Sequence, residues 1–391
     1  MLDNLLLMIP GPIEISPPVK KAFGVSPPSH VDPEVIDAFG RSIEKMRQAW
    51  RAAEDSQPFI IPGSGTLAMD MAVANLVAPG DRVLVVNTGY FSDRITEMLR
   101  RRGANIHTVG HGPGFAPSAD EVVAALDTEG PFKVLCATHV DTSTGVRIKP
   151  EPLARAASER GVLSIFDGVC ATIGERFEMA AWGADVYLTG SQKAIGLPPG
   201  LALLVASRRA LEARDALAAP PPMSTDWHTW LPVMQAYEER RPSYFATPPT
   251  NLILALDVAL DEILDEERGM MPIWDSHHKV ATAMRRAWKA LELELVPVRE
   301  STAANTLSAI RYPEGIGPEL LGRIKARGVV VAGGLMPGMK QTYFRVGHMG
   351  YVVGRPDLLH RTVLAIERAL VESGHIITPQ AGTEALLDEL G

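Results

Sequence analysis

Asp185-Val186-Tyr187-Leu188-Thr189, followed at once by Gly190-Ser191-Gln192-Lys193-Ala194-Ile195-Gly196-Leu197-Pro198-Pro199-Gly200, puts one lysine in a small-residue turn at the end of an apolar, β-like run. A lysine so placed can serve as an amine nucleophile. The chain has ten lysines among its 38 basic residues, and the other nine stand in helical, charged or surface-like stretches without a comparable frame. Taken alone, the segment also fits an ordinary surface turn. A second signal upstream separates the two readings.

That signal is Val162-Leu163-Ser164-Ile165-Phe166-Asp167-Gly168-Val169, a buried-strand pattern whose carboxylate appears where the strand ends, 26 residues before Lys193. Aspartate after a strand is also a common turn or helix-cap residue. In open α/β sheets, however, ligands gather at the carboxyl ends of strands, so the two side chains can face one site. Pyridoxal 5′-phosphate needs a lysine to hold its aldehyde as a Schiff base and a carboxylate to keep its ring nitrogen protonated. Asp167 and Lys193 fit those two roles.

A cofactor phosphate needs a cradle, and Ile61-Pro62-Gly63-Ser64-Gly65-Thr66 runs directly into the helix-like stretch from Leu67 to Val77. Backbone N–H groups at a helix start, with a hydroxyl nearby, bind anions. The glycines suit a plain tight turn equally well. No lysine follows the second glycine as in a Walker loop, and the dinucleotide glycine pattern is absent.

Apolar runs alternate with helical patterns through the first two-thirds of the chain. Strands are expected at Arg82 to Val86, Asn105 to Val109, Lys133 to Thr138, Val162 to Phe166, Asp185 to Thr189 and Leu201 to Ala206. Helices are expected at Ser92 to Arg102, Ser118 to Leu126 and Glu151 to Arg160. The alternation predicts an α/β fold, a mostly parallel sheet with helices on both faces. Loop signals stand at Ala218 to Pro222, and Thr247-Pro248-Pro249-Thr250 opens a helix from Asn251 to Leu264. We therefore expect a large domain over residues 1–268 and a small C-terminal domain over 269–391, with helices at Trp274 to Leu291 and Pro356 to Ser373. Thr378 to Gly391 fits either a docked helix or a frayed tail.

Together these motifs resemble the fold-type I, class V aminotransferases that depend on pyridoxal phosphate, in particular the alanine/serine–glyoxylate group. The likeness runs from Pro10-Gly11-Pro12 to Phe344-Arg345-Val346-Gly347-His348-Met349-Gly350. It implies a seven-stranded large domain and a smaller α+β domain. By position it implies that Lys193 and Asp167 are catalytic, and that Ser64, Gly65, Thr66 and Gln192 hold the phosphate. Phe91, in Asn87-Thr88-Gly89-Tyr90-Phe91-Ser92, matches the aromatic position that stacks on the cofactor; the family often has Trp there, which leaves Tyr90 as a rival. Thr142, in His139-Val140-Asp141-Thr142-Ser143-Thr144-Gly145, matches the hydroxyl position beside the cofactor. Tyr244 and Thr247 resemble a segment that crosses a homodimer to the neighbouring phosphate. Gly11 and Arg345 match substrate-contacting positions.

An arginine in a strand-like run, such as Arg345, can simply be a solvated edge residue. Its planar guanidinium can also fork onto a substrate carboxylate, the role of the matching arginine in the family. No second arginine is evident within these motifs, which favours monocarboxylic donors such as alanine or serine over aspartate.

Of the 391 residues 46% are hydrophobic and 21% charged, enough for two buried cores, and the formal net charge is −8. A net negative chain without a long basic run argues against a nucleic-acid partner. Cys136 and Cys170 make neither a disulfide framework nor a zinc-ligand set, and are expected as buried or half-buried thiols in a reducing cytoplasm. The run Leu5-Leu6-Leu7-Met8-Ile9 is too short to span a membrane, and Asp3 rather than basic residues precedes it, unlike a signal peptide.

The expected reaction is a two-half transamination from alanine or serine to glyoxylate or pyruvate. Pyridoxamine–pyruvate and 2-aminoethylphosphonate–pyruvate aminotransferases share most of these motifs. A cysteine desulfurase-like lyase needs a nucleophilic cysteine in a late loop, where this chain has none.

Overall fold

The computed structural model describes residues 5–391. Seven strands form the central sheet: β1 (Gln57–Pro62), β2 (Arg82–Asn87), β3 (Asn105–Gly110), β4 (Val134–Thr138), β5 (Leu163–Asp167), β6 (Val186–Gly190) and β7 (Leu201–Ala206). Their order is β1-β7-β6-β5-β4-β2-β3. From β6 to β3 all neighbours are parallel; only β7 runs against its neighbours β6 and β1. β4 to β7 are buried at every residue, as continuous apolar strands covered on both faces must be.

This parallel block places the carboxyl ends of β2, β4, β5 and β6 at one edge. Asp167 pairs in register with Thr138 on one side and Leu188 on the other. Helices α1 (Gly65–Leu76) and α2 (Tyr90–Arg101) start from that same edge, after β1 and β2. The edge therefore collects strand ends and helix N-termini, the arrangement that binds ligands in open α/β sheets.

A second sheet, β8 (Leu307–Arg311), β9 (Ala332–Gly333) and β10 (Tyr343–Gly347), is antiparallel in the order β8-β10-β9. It anchors a separate core that includes Trp288, Phe344, Ile366 and Leu386. Leu6 and Met8 from the start of the chain also belong to this core, although the expected large domain, residues 1–268, includes them. Leu6–Leu7 pair parallel to Val329–Val330. Asp3 lies outside the described residues. No helix among the described residues is long and apolar enough to cross a membrane.

The six expected strands lie within one residue of their observed bounds. β1 was missed because Pro58 and Pro62 lower its strand signal, and it survives because it is an edge strand, where a missing N–H is tolerated. The helix Pro33–Ala49 was also missed, despite its Asp32 cap and Pro33 at the first turn. The C-terminal segment forms a helix, Ala381–Leu390, docked through Leu386.

Candidate active site

Asp167 ends β5 almost fully buried. Its Oδ1 accepts the Val169 N–H at 2.9 Å, and its Oδ2 takes no hydrogen bond from any described residue. Burial raises its pKa to about 7; the Val169 N–H opposes this, Asp141 adds to it, and Lys193 and Arg94 oppose it. A buried carboxyl with one open oxygen calls for a cation, which the ring nitrogen of a protonated pyridine provides.

Lys193 follows β6 and is also buried. Its Nζ donates to the Pro10 carbonyl. Burial lowers its pKa, with Arg345 adding to the effect, which favours the neutral, nucleophilic amine. Gly11 leaves the space that Lys193 occupies: at φ +107°, a Cβ there would stand 2.7 Å from Lys193 Cδ and 2.8 Å from the Gln192 carbonyl. The Gly347 N–H donates to Met8 O at 2.7 Å, so β10 carries this N-terminal segment up to the lysine.

Ser64 is the N-cap of α1, yet its side chain makes no capping hydrogen bond. The first amides of the helix are thus left for a ligand. Gly65 is packed so tightly that a Cβ would lie 2.6 Å from Val169 Cγ2, and one at Gly190 would lie 2.9 Å from both the Gly65 nitrogen and Gln192 Oε1. α1 therefore abuts the ends of β5 and β6. Gln192 Oε1 is buried and has no hydrogen-bond partner. Half a turn of that amide presents its N–H donors instead. An orphaned buried amide beside an uncapped helix start fits an anionic phosphate.

Arg345 on β10 donates from Nε to Gly333 O at 2.9 Å and from Nη1 to Thr142 O at 3.2 Å. It forms no ion pair with any described residue, so a half-buried guanidinium stands without a carboxylate. Thr142 is buried, and it is its backbone that steadies Arg345.

The class V aminotransferase family model, described as Aminotransferase class-V, matches residues 25–340. This chain belongs to the class V aminotransferases. It is 36% identical to alanine–glyoxylate aminotransferase 1 of Saccharomyces cerevisiae over 90% of this chain and 94% of that protein. Identity to the L-aspartate–glyoxylate aminotransferase of Paracoccus denitrificans is 32%, covering 88% and 86% of the two chains. The crystal structure of an alanine–glyoxylate aminotransferase from Nostoc sp. superimposes with a TM-score of 0.85 at 31% identity, covering 94% of this chain and 95% of that one. The fold is that of the fold-type I enzymes, and pyridoxal 5′-phosphate is the cofactor.

In this aminotransferase Tyr90 and Phe91 are both half-buried and meet edge to face, with centroids 5.5 Å apart. Either ring can form the wall over the cofactor. Tyr244 and Thr247 are exposed, and their contacts within the chain are with one another (3.3 Å) and, for Tyr244, with His30. Both cysteines are buried and free, and burial pushes the Cys136 thiol up to about 12.

Two residues of the aminotransferase site escaped the sequence reading. Asp141, fully buried, accepts from Phe91 N, Ser92 N and Ser143 N. Arg94 donates to Thr66 Oγ1 at 3.0 Å and lies over both rings, 4.8 Å from the Phe91 centroid and 5.3 Å from that of Tyr90. Thus a second arginine does reach the site. Its signal was the three-residue spacing from Phe91, which puts both on one face of α2.

Proposed function

We propose that this enzyme moves the amino group of a small monocarboxylic amino acid, alanine or serine, to glyoxylate or pyruvate, in two half-reactions on one site. The observation that carries the reading is Arg345, a half-buried guanidinium with no carboxylate partner among the described residues, on the same site as Lys193. Such a fork fixes one carboxylate and with it the orientation of the substrate Cα–H bond. The name of the yeast relative supports alanine and glyoxylate as the pair; that of the Paracoccus relative gives aspartate as donor.

Bound pyridoxal 5′-phosphate supplies a ring that accepts the electron pair left when Cα loses its proton. Lys193 would hold the cofactor through its aldehyde. Its amine, when free, would act as the general base that takes the proton from the substrate Cα and, once protonated, as the general acid that gives it back. Asp167 would supply the carboxylate that keeps the ring nitrogen protonated. Ser64, Gly65, Thr66 and Gln192 hold the phosphate, Phe91 or Tyr90 covers one ring face, Thr142 lines the pocket, and Gly11 borders the substrate.

We further infer a homodimer in which Tyr244 and Thr247 reach the neighbouring subunit's phosphate; their exposure and their lack of a partner in the chain's own site support this. Mixing subunits inactivated at Lys193 with subunits altered at Tyr244 should then restore part of the activity. A cytoplasmic location is consistent with two free thiols.

The function is tested by adding alanine, serine, aspartate, pyridoxamine or 2-aminoethylphosphonate singly to the purified enzyme and following its visible cofactor band. Loss of the band with alanine or serine, restored by glyoxylate or pyruvate, is the expected result. A response confined to aspartate, pyridoxamine or the phosphonate would replace the proposed donor. No band after cofactor is supplied would remove the Lys193 and Asp167 roles together.

A further inference from the structure

Arg94 is a cation whose charge reaches the Asp167 carboxyl without pairing with it. It forms no ion pair with any described residue, and its one hydrogen bond goes to the neutral hydroxyl of Thr66, in the first turn of α1. Its guanidinium is held in place by the Phe91 and Tyr90 rings beneath it. Stacking of this kind orients the planar fork while leaving its N–H edges free. Through Thr66 the guanidinium reaches the uncapped start of α1, where the Gly65 nitrogen and the orphaned Gln192 Oε1 both border Gly190. A phosphate dianion on those amides alone has hydrogen-bond donors but no full positive charge.

We propose that Arg94 is a phosphate-binding residue, supplying the positive charge of the cofactor's phosphate site and reaching it across the Thr66 hydroxyl. The inference rests on the pyridoxal phosphate reading of the site. It also assigns the second arginine: engaged with phosphate, Arg94 is not available to read a second carboxylate on the substrate. Its place one turn along α2 from Phe91 joins two tasks on one helix face, so the ring wall and the phosphate charge move together.

The test separates phosphate from ring. Full-length enzyme is stripped of cofactor and titrated, by intrinsic fluorescence, with pyridoxal phosphate and with pyridoxal, which share ring and aldehyde and differ only in the phosphate. For Arg94→Gln, affinity for pyridoxal phosphate should fall roughly 10- to 100-fold, the scale of one charge-assisted hydrogen bond, while affinity for pyridoxal changes less than about 2-fold. Arg94→Lys, which keeps the charge but not the fork, should fall between. Inorganic phosphate should compete with pyridoxal phosphate less well in Arg94→Gln than in the native enzyme. An equal fall for both ligands would assign Arg94 to the ring wall and overturn the proposal. So would an unchanged cofactor affinity, with or without a raised KM for aspartate. If the native enzyme binds neither ligand, the pyridoxal phosphate reading itself fails, a result distinct from any difference between the variants.

Discussion

Asp141 Oδ2 accepts the backbone N–H of Phe91 at 3.1 Å, so a residue of the short strand Val140–Asp141, just past β4, caps the helix that carries the candidate ring wall. The N-cap of that helix is Gly89, which has no side chain to do so. The same oxygen takes Ser92 N at 3.3 Å, while Oδ1 takes Ser143 N at 3.0 Å and Ser143 Oγ at 2.6 Å. Both carboxylate oxygens thus accept from backbone N–H groups.

An amide at this position has one acceptor oxygen and one donor nitrogen. Whichever way it turns, Asp141→Asn sets N–H against N–H in a fully buried place. The loss should be about 1–3 kcal/mol, the cost of an unsatisfied buried donor. We expect a lower Tm together with weaker cofactor binding, because the α2 start shifts. An unchanged Tm would show that the helix caps itself.

Asp167 gives a pH signature. Its folded-state pKa of about 7 lies above the ordinary carboxyl value of 3.8, so the cofactor-free fold binds this proton more tightly than the unfolded chain does. That contribution is fully present below the unfolded value and is lost as pH rises through about 7. Asn at 167 does not titrate. Cofactor-free Asp167→Asn should therefore lose less Tm than the native chain between about pH 5 and pH 8, a difference of roughly a few degrees. Parallel Tm profiles would contradict the raised pKa of the buried carboxyl. His139 and His348, lowered to about 3, and His277, lowered to about 4, all chiefly by burial, weaken both proteins alike as pH falls below the ordinary histidine range.

The positions of Asp167 and Lys193 at strand ends are legible because each follows an apolar run, and a strand end is a local property of a few residues. Arg345 is singled out only through the resemblance; what holds its guanidinium is a pair of backbone carbonyls, Gly333 and Thr142, that no residue pattern encodes. Asp141 lay within a quoted motif, but its partners are 49 and 50 residues upstream. Arg94 meets Thr66 across 28 residues and two different helices. Tertiary contacts of that kind leave no periodicity to read.

Arg345→Ala removes the fork but none of the groups around the cofactor's ring. The amino-acid KM should rise by roughly 10- to 100-fold or more, the scale of a lost charge-assisted pair, with the visible cofactor band unchanged. Arg345→Lys should recover only part of the loss, since a point charge cannot grip both carboxylate oxygens. Steady-state kinetics with alanine and serine decide it, and a KM equal to the native one would take Arg345 out of the substrate site.

Gly11 tests whether the N-terminal segment positions the lysine. Its φ of +107° disfavours any L side chain, and a methyl group would press on Lys193 Cδ at 2.7 Å and on the Gln192 carbonyl at 2.8 Å. The lysine chain can bend away, but the backbone carbonyl cannot, so relief comes from displacing Lys193 or the 10–12 turn. Misplacing a reacting group by about 1 Å costs on the order of 100-fold in rate. Gly11→Ala should therefore cut kcat by about that factor while the cores, which hold neither Gly11 nor Lys193, keep Tm within a few degrees. Lys193→Ala sets the floor for comparison, with no turnover and no visible band from a lysine-bound cofactor. If Gly11→Ala keeps native kcat, the turn gives way at no cost, and Lys193 is held by β6 and its own loop alone.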